Sequence, residues 1–314
     1  MSKKYMRRTA SALAAIVLAE LGISAYFYRR TMMRNLAKTE RTIKMAGTDW
    51  NKHMDFIHKR KEYMMSQPHE DWWNVTLDGK MKLHATWFPQ RKQKKAVICF
   101  HGYTSEGMKD YIGLSGYYMK HGYSMLLVDE RAHGKSEGKY IGFGCLDRMD
   151  ALKWIQMVIE NCGEDVEIIL HGTSMGGATV LMTSGLELPI QVKGIVSDCA
   201  FTSPKEVFTH VLRNMIHMPA FPIIQISDFM NRKLAGYGMD ECNAAREVQK
   251  ATVPILFIHG SGDTFVPCSM CDVLFENCAS KKQKLIVEGA AHAESYYKDT
   301  QAYEEALDIF LNNL

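Results

Sequence analysis

Apolar residues recur along this chain in two alternating rhythms. Short runs rich in Val, Ile, Leu and aromatics occupy Ala96–Phe100, Ser124–Val128, Val166–Leu170, Val192–Val196, Ile255–Ile258 and Lys284–Val287, the pattern of strands buried on both faces. Ahead of them, Trp72–Leu77 and Met81–Phe88 are separated by Asp78-Gly79, a strong hairpin signal because this dipeptide accepts the positive φ of a tight turn. Between the strands lie stretches with helical spacing. Tyr111–His121 is one, and Cys145–Glu160 another, with Leu146, Met149, Leu152, Ile155 and Ile159 on one face. Ala178–Met182 and Asp299–Leu311 complete the set. Strand-helix alternation of this extent predicts a mainly parallel, eight-stranded sheet covered by helices on both faces. No internal repeat or low-complexity tract interrupts it.

Two segments break the rhythm. Roughly fifty residues separate the strand ending near Ser197 from the one at Ile255; Pro204–Met218 and Phe221–Leu234 within them have helical composition, divided by Pro219 and Pro222. An insertion there follows a strand's carboxyl end, where α/β sheets bind ligands, so a small helical cap over about 203–240 is expected. Its Phe208, Val211, Met215, Phe221 and Ile224 are the expected lining of an apolar pocket. The second segment is Thr9–Tyr28, 20 mainly apolar or small residues with Lys3, Lys4, Arg7 and Arg8 before them and Arg29, Arg30 and Arg34 after. Its length matches a bilayer core. Glu20 in the middle costs about 2–3 kcal/mol on insertion, and Tyr26, Phe27 and Tyr28 read as an interfacial aromatic belt. A cleaved signal peptide and a helix lying on a surface are the alternatives, although no clean Ala-x-Ala site is visible. The expected organisation is a membrane anchor over 1–30, a polar helical connecting segment over 31–68 packed loosely on the body, and one α/β domain over 69–314. Membrane lipid is then a partner of the N-terminal segment. Basic residues flank both of its ends, so the side of the membrane stays open.

Charge sharpens this picture. The net charge is +3, but residues 1–61 carry +10 and the remainder −7. A mildly acidic body repels phosphate and argues against nucleic acid as partner. The eight cysteines are scattered rather than spaced as a disulfide framework. Cys268-Ser269-Met270-Cys271 lacks the second pair or nearby histidines that a metal site requires.

Chemistry concentrates just past the strand ends. Gly172-Thr173-Ser174-Met175-Gly176 joins a strand to a helix, and a serine on such a sharp turn presents its hydroxyl above the sheet. Asp263 leaves the strand Ile255–His259 through Gly260 and Gly262, and His292 follows the last strand in Glu288-Gly289-Ala290-Ala291-His292. Brought together, Ser174 is the nucleophile, His292 the base that takes its proton, and Asp263 the group that orients the imidazole. The amides of Tyr103, in His101-Gly102-Tyr103-Thr104, and of Met175 are the expected oxyanion hole. Asp129, Asp198 and Glu288 compete for the acid's role, being near strand ends or His292. Arg131 and His133 read as ties that hold a loop.

These motifs, with Asp129-x-Arg131-x-His133-Gly134-x-Ser136 and His259-Gly260-x-x-Asp263-x-x-Val266-Pro267, resemble the α/β-hydrolase superfamily over roughly residues 70–314. More narrowly, Gly138–Gly144 with Asp147-Arg148 is similar to bacterial membrane-anchored hydrolases of esterase-like or prolyl-oligopeptidase-like (S9-like) type. The resemblance implies an α/β-hydrolase fold, hydrolysis of a small-molecule ester through an acyl-enzyme, and neither cofactor nor metal. A small-peptide or amide hydrolase and a non-catalytic membrane-tethered binding module are the alternatives.

Overall fold

The computed structural model describes residues 3–34, 47–91 and 94–314, with side chains from residue 11 onward. The expected flanking charges at Lys3, Lys4, Arg7 and Arg8, and residues 35–46 of the connecting segment, therefore lie outside the described side chains or residues.

Eight strands form one sheet: β1 (Glu70–Val75), β2 (Lys82–Phe88), β3 (Lys95–Phe100), β4 (Tyr123–Asp129), β5 (Glu167–Thr173), β6 (Val192–Asp198), β7 (Ile255–Gly260) and β8 (Lys282–Val287), in the order β1-β2-β4-β3-β5-β6-β7-β8. The β1–β2 and β2–β4 pairings are antiparallel and the rest parallel, so the sheet is mixed. The apolar runs explain the order. All seven residues of β4 and all six of β7 are buried, as a strand sandwiched by helices must be. β1, at the edge, buries only Trp72.

The longer helices are α1 (Lys3–Met32), α2 (Met54–Met65), α3 (Ile112–Lys120), α4 (Asp147–Cys162), α5 (Met175–Thr183), α6 (Pro204–His210), α7 (Ile223–Leu234), α8 (Cys268–Asn277) and α9 (Thr300–Leu311). α5, which starts immediately after Ser174, is buried along its whole length. Pro at the first position of α6 and the Ser203 hydroxyl accepting from the Glu206 amide start the cap insertion. A π-helical turn, Val211–Met215, carries it onward.

The two ends of α1 differ in character. Ser11–Met32 is long and apolar enough to cross a membrane, and Leu13, Ile16, Val17, Leu18, Leu21 and Ile23 are exposed. From Ser24 onward the helix is docked on protein. Met32 and Tyr28 are fully buried, and the Phe27 ring meets Phe208 edge-on at 5.8 Å. The Tyr28 hydroxyl donates to Asn231 Oδ1 at 3.4 Å, and the Ile141 amide to the Met32 carbonyl at 2.9 Å. The expectation of an aromatic belt is thus overturned for Phe27 and Tyr28, which serve the cap interface. Only Tyr26 remains exposed.

The connecting segment is also more tightly held than expected. A 3₁₀ turn, Trp50–His53, leads into α2. α2 packs on α3, with Met64 buried in the same cluster as Tyr117 and Tyr118.

Candidate active site

Ser174 sits between β5 and α5 with φ 55° and ψ −111°, a conformation that side chains rarely adopt and that functional sites retain. The glycines on either side make the turn possible. A Cβ on Gly172 would lie 2.0 Å from the Gly176 carbonyl oxygen, and one on Gly176 would lie 1.9 Å from that of Phe100. The Ser174 amide donates to the Asp198 carbonyl at 2.7 Å and the Gly176 amide to the His101 carbonyl at 3.0 Å. These bonds pin the turn to the neighbouring strand ends.

Ser174 Oγ lies 2.8 Å from His292 Nε2, and His292 Nδ1 lies 2.7 Å from Asp263 Oδ2. All three residues are buried. With Nδ1–H donating to the carboxylate, Nε2 carries the lone pair that accepts from the serine hydroxyl. Asp263 is fixed from its other side, since Oδ1 accepts the amides of Phe265 and Val266, each at 2.9 Å. Burial pushes the Asp263 carboxyl up, but His292 and His259 outweigh it and hold its pKa well below the usual carboxylate range. His259 Nε2 donates to the Val266 carbonyl at 2.9 Å and lies 3.3 Å from Asp263 Oδ2. Burial opposes its charge, yet Asp263 and then Cys271 raise its pKa to about 11. Asp263 is thus a carboxylate facing two imidazoles. Sequence reasoning quoted His259 only as part of a motif and gave it no role, although its place near the end of β7, four residues before Asp263, was a usable signal.

His292 Nδ1 is taken by Asp263 rather than by a competing acid. Asp129 meets His84 Nδ1 at 2.8 Å and accepts the Lys135 amide at 2.9 Å. Glu288 is exposed. Asp198 accepts from the Tyr303 hydroxyl at 3.2 Å, and burial raises its pKa to about 6. Arg131 forms a two-point pair with Asp150, and the Thr104 amide donates to His133 Nε2 at 3.1 Å, so both residues do hold loops.

The backbone of Gly102-Tyr103 passes against the nucleophile: a Cβ on Gly102 would be 3.4 Å from that of Ser174. The Gly102 amide is committed to Asp110 Oδ2 at 2.7 Å, and the Tyr103 ring stacks on Phe143 at 5.4 Å. Tyr103 follows Gly102 on the loop after β3, and Met175 opens α5 directly after Ser174.

A cavity of about 360 Å³ opens on Ser174 and His292. Its walls are Trp50, Met54 and Ile57 from the connecting segment, the 102–105 loop with Ile112, and Phe265, Tyr296 and Tyr297. None of the expected cap residues lines it. Phe208, Val211 and Ile224 are buried within the protein, Phe208 against Phe27 and Phe143, while Phe221 is 71% exposed. That expectation is corrected: the cap covers the end of α1, and the residues before β1 cover the site. Trp50 in a polar stretch was the one sequence sign of this wall.

Among the described residues, one group of three potential metal ligands lies within 4.8 Å, namely Cys199, Asp263 and His292. Both His292 nitrogens are already engaged, by Ser174 and Asp263, so an ion there would break the serine–histidine–aspartate chain.

Comparison with known proteins fits this geometry. Residues 91–234 match the family model described as serine aminopeptidase, S33. The chain is 29% identical to the uncharacterized protein YqkD of Bacillus subtilis over 228 residues, 72% of this chain and 73% of that one. It is 22% identical to YfhR of Escherichia coli K12, covering 68% and 69%. Among solved structures, the Pyrococcus furiosus esterase Pf2001 superposes with a TM-score of 0.65 at 21% identity, covering 80% of this chain and 93% of that one. Est1E of Butyrivibrio proteoclasticus, solved with ferulic acid bound, gives 0.57 at 17% identity, covering 77% and 98%.

Proposed function

We propose that this chain, whose fold is that of the α/β-hydrolases, is a serine hydrolase that cleaves small-molecule carboxylic esters through an acyl-enzyme on Ser174. The observation that carries this reading is the continuous hydrogen-bonded path from Ser174 Oγ through His292 to Asp263, at 2.8 and 2.7 Å. His292 Nε2 takes the hydroxyl proton as Oγ attacks the ester carbonyl. Asp263 stabilises the imidazolium that forms. The amides of Tyr103 and Met175 receive the developing oxyanion; one such donor is typically worth about 3–4 kcal/mol of barrier. His292 then hands its proton to the departing alcohol. Water repeats the sequence on the acyl-enzyme, releasing the acid and restoring Ser174.

Short-chain p-nitrophenyl esters and a fluorophosphonate probe test this. The wild type turns over the esters and is labelled, whereas Ser174→Ala does neither. A folded wild type that is neither labelled nor active on any acyl length overturns the reading. The serine aminopeptidase description of the matching family model favours a second reading, an amidase on small peptides. An ester and an amide of the same acyl group separate the two.

The exposed apolar side chains from Leu13 to Ile23 support membrane attachment through the first two-thirds of α1. Retention of the full chain in the membrane fraction through alkaline carbonate washing tests it, and release into the wash counts against it.

A further inference from the structure

The cavity beside Ser174 is walled in part by a segment that precedes the hydrolase sheet and lies outside residues 91–234, the span matched by the family model. Three contacts join this segment to the loop bearing the catalytic histidine. The buried Thr48 hydroxyl donates to the His292 carbonyl at 2.6 Å. His53 Nε2 lies 2.9 Å from Glu294 Oε1, while Glu294 Oε2 accepts the Ala291 amide at 2.9 Å. Glu294 therefore bridges His53 to the residue preceding His292. Trp50 packs edge-on to Tyr297 at 5.4 Å, and both rings line the cavity. The loop needs such support, because Ala293 has φ 57°, a left-handed conformation that costs a non-glycine residue free energy.

Trp50, Met54 and Ile57 are apolar and line the same cavity as Ser174. An acyl group bonded to Ser174 Oγ stays in the site after the alcohol has left. A cavity whose walls are mainly apolar suits such a group. Its 360 Å³ limits how long that group can be while Trp50 stands at the wall.

We propose that residues 48–57 are a working part of the active site. Trp50, with Met54 and Ile57, selects esters of compact apolar acyl groups, short to medium aliphatic or single-ring aromatic. Thr48 and His53 are positioning residues that hold His292 in register with Ser174. This rests on the serine-esterase reading above. It extends that reading by assigning acyl specificity to the segment before β1 rather than to the cap.

The test uses the purified full-length chain in detergent with p-nitrophenyl esters from acetate to laurate, a constant leaving group. Trp50→Ala is expected to move the preferred acyl length upward and to lower kcat/KM on the wild type's best ester by about tenfold or more, the range a hydrophobic pocket can discriminate. Trp50→Phe, which keeps a ring, is expected to retain the wild-type preference. Thr48→Val is expected to lower kcat about tenfold or more with little change in KM, since small displacements of a catalytic group are costly. Thr48→Ser, which keeps the donor, restores the rate. An unchanged chain-length profile in a Trp50→Ala protein that still labels at Ser174 overturns the wall assignment. Wild-type kcat in Thr48→Val overturns the positioning role. Failure of the wild type itself to label at Ser174 strikes the esterase reading instead, so the two failures are distinguishable.

Discussion

Each residue of the candidate triad is held by bonds that leave one task open. Asp263 spends one oxygen on two backbone amides and keeps the other for imidazoles. His292 has one nitrogen on the acid and the other on Ser174. Asp263→Asn would present an amide that favours the wrong imidazole tautomer, and kcat is expected to fall by about 10⁴ with folding intact. Ester turnover beside a thermal melt checks this. Gly176→Ala is expected to act on folding instead. Its Cβ would lie 1.9 Å from the Phe100 carbonyl oxygen, and backbone on both sides cannot yield as a flexible side chain can. A loss of about 3 kcal/mol or more is expected, in the range of severe overpacking. Denaturant midpoints of the variant and wild type measure it.

At the scale of elements, α1 is two structures in one helix. Its first part presents apolar side chains outward, while its last turns contribute Phe27, Tyr28 and Met32 to the core. Removing residues 1–23 is expected to abolish membrane retention and leave the melting temperature within a few degrees. Removing residues 1–32 is expected to lower it by about 10 °C or more, since each large buried side chain is worth about 1.5–3 kcal/mol. Fractionation and thermal melts of both truncations distinguish these outcomes; equal melting temperatures would contradict the division. The cap helices α6 and α7 follow the same logic. Their apolar faces were legible as faces, but an amphipathic pattern says only that one side is buried. Phe208 found Phe27 and Phe143 rather than the site.

The whole molecule buries several histidines, and they set its response to acid. His133 and His171 are both driven down to about 3, chiefly by burial. Each stays neutral in the folded chain over a range where the unfolded chain takes a proton, so folding stability falls as pH drops below about 6.5. Two such groups give a slope that approaches about 2.7 kcal/mol per pH unit about one unit below that point. Asp150 and Asp198 oppose it over the same range. Burial raises both to about 6, so the folded state takes up their protons first and gains stability from about pH 7 towards 4. His259, raised to about 11, adds stability that is fully present below 6.5 and is lost as pH rises towards 11. His259 and the two acids thus offset the two neutral histidines, and urea midpoints are expected to stay nearly level from pH 7.0 to 5.0. A loss of about 3 kcal/mol or more over that range, as the two histidines alone would give, would contradict this.

The order of strands and helices, the sharp turn at Ser174, and the positions of Asp263 and His292 just past strand ends were all legible in the chain. They depend on local periodicity and on glycines whose need is set by neighbouring backbone. The hairpin at Asp78-Gly79 was legible for the same reason. What covers Ser174 was decided only in three dimensions. Trp50, Met54 and Ile57 reach the cavity through packing on α3 and the His292 loop, far away in sequence. Likewise, Tyr26-Phe27-Tyr28 reads alike whether a lipid headgroup or another helix receives the rings. An apolar side chain records that it must leave water; only the folded chain determines which surface takes it in.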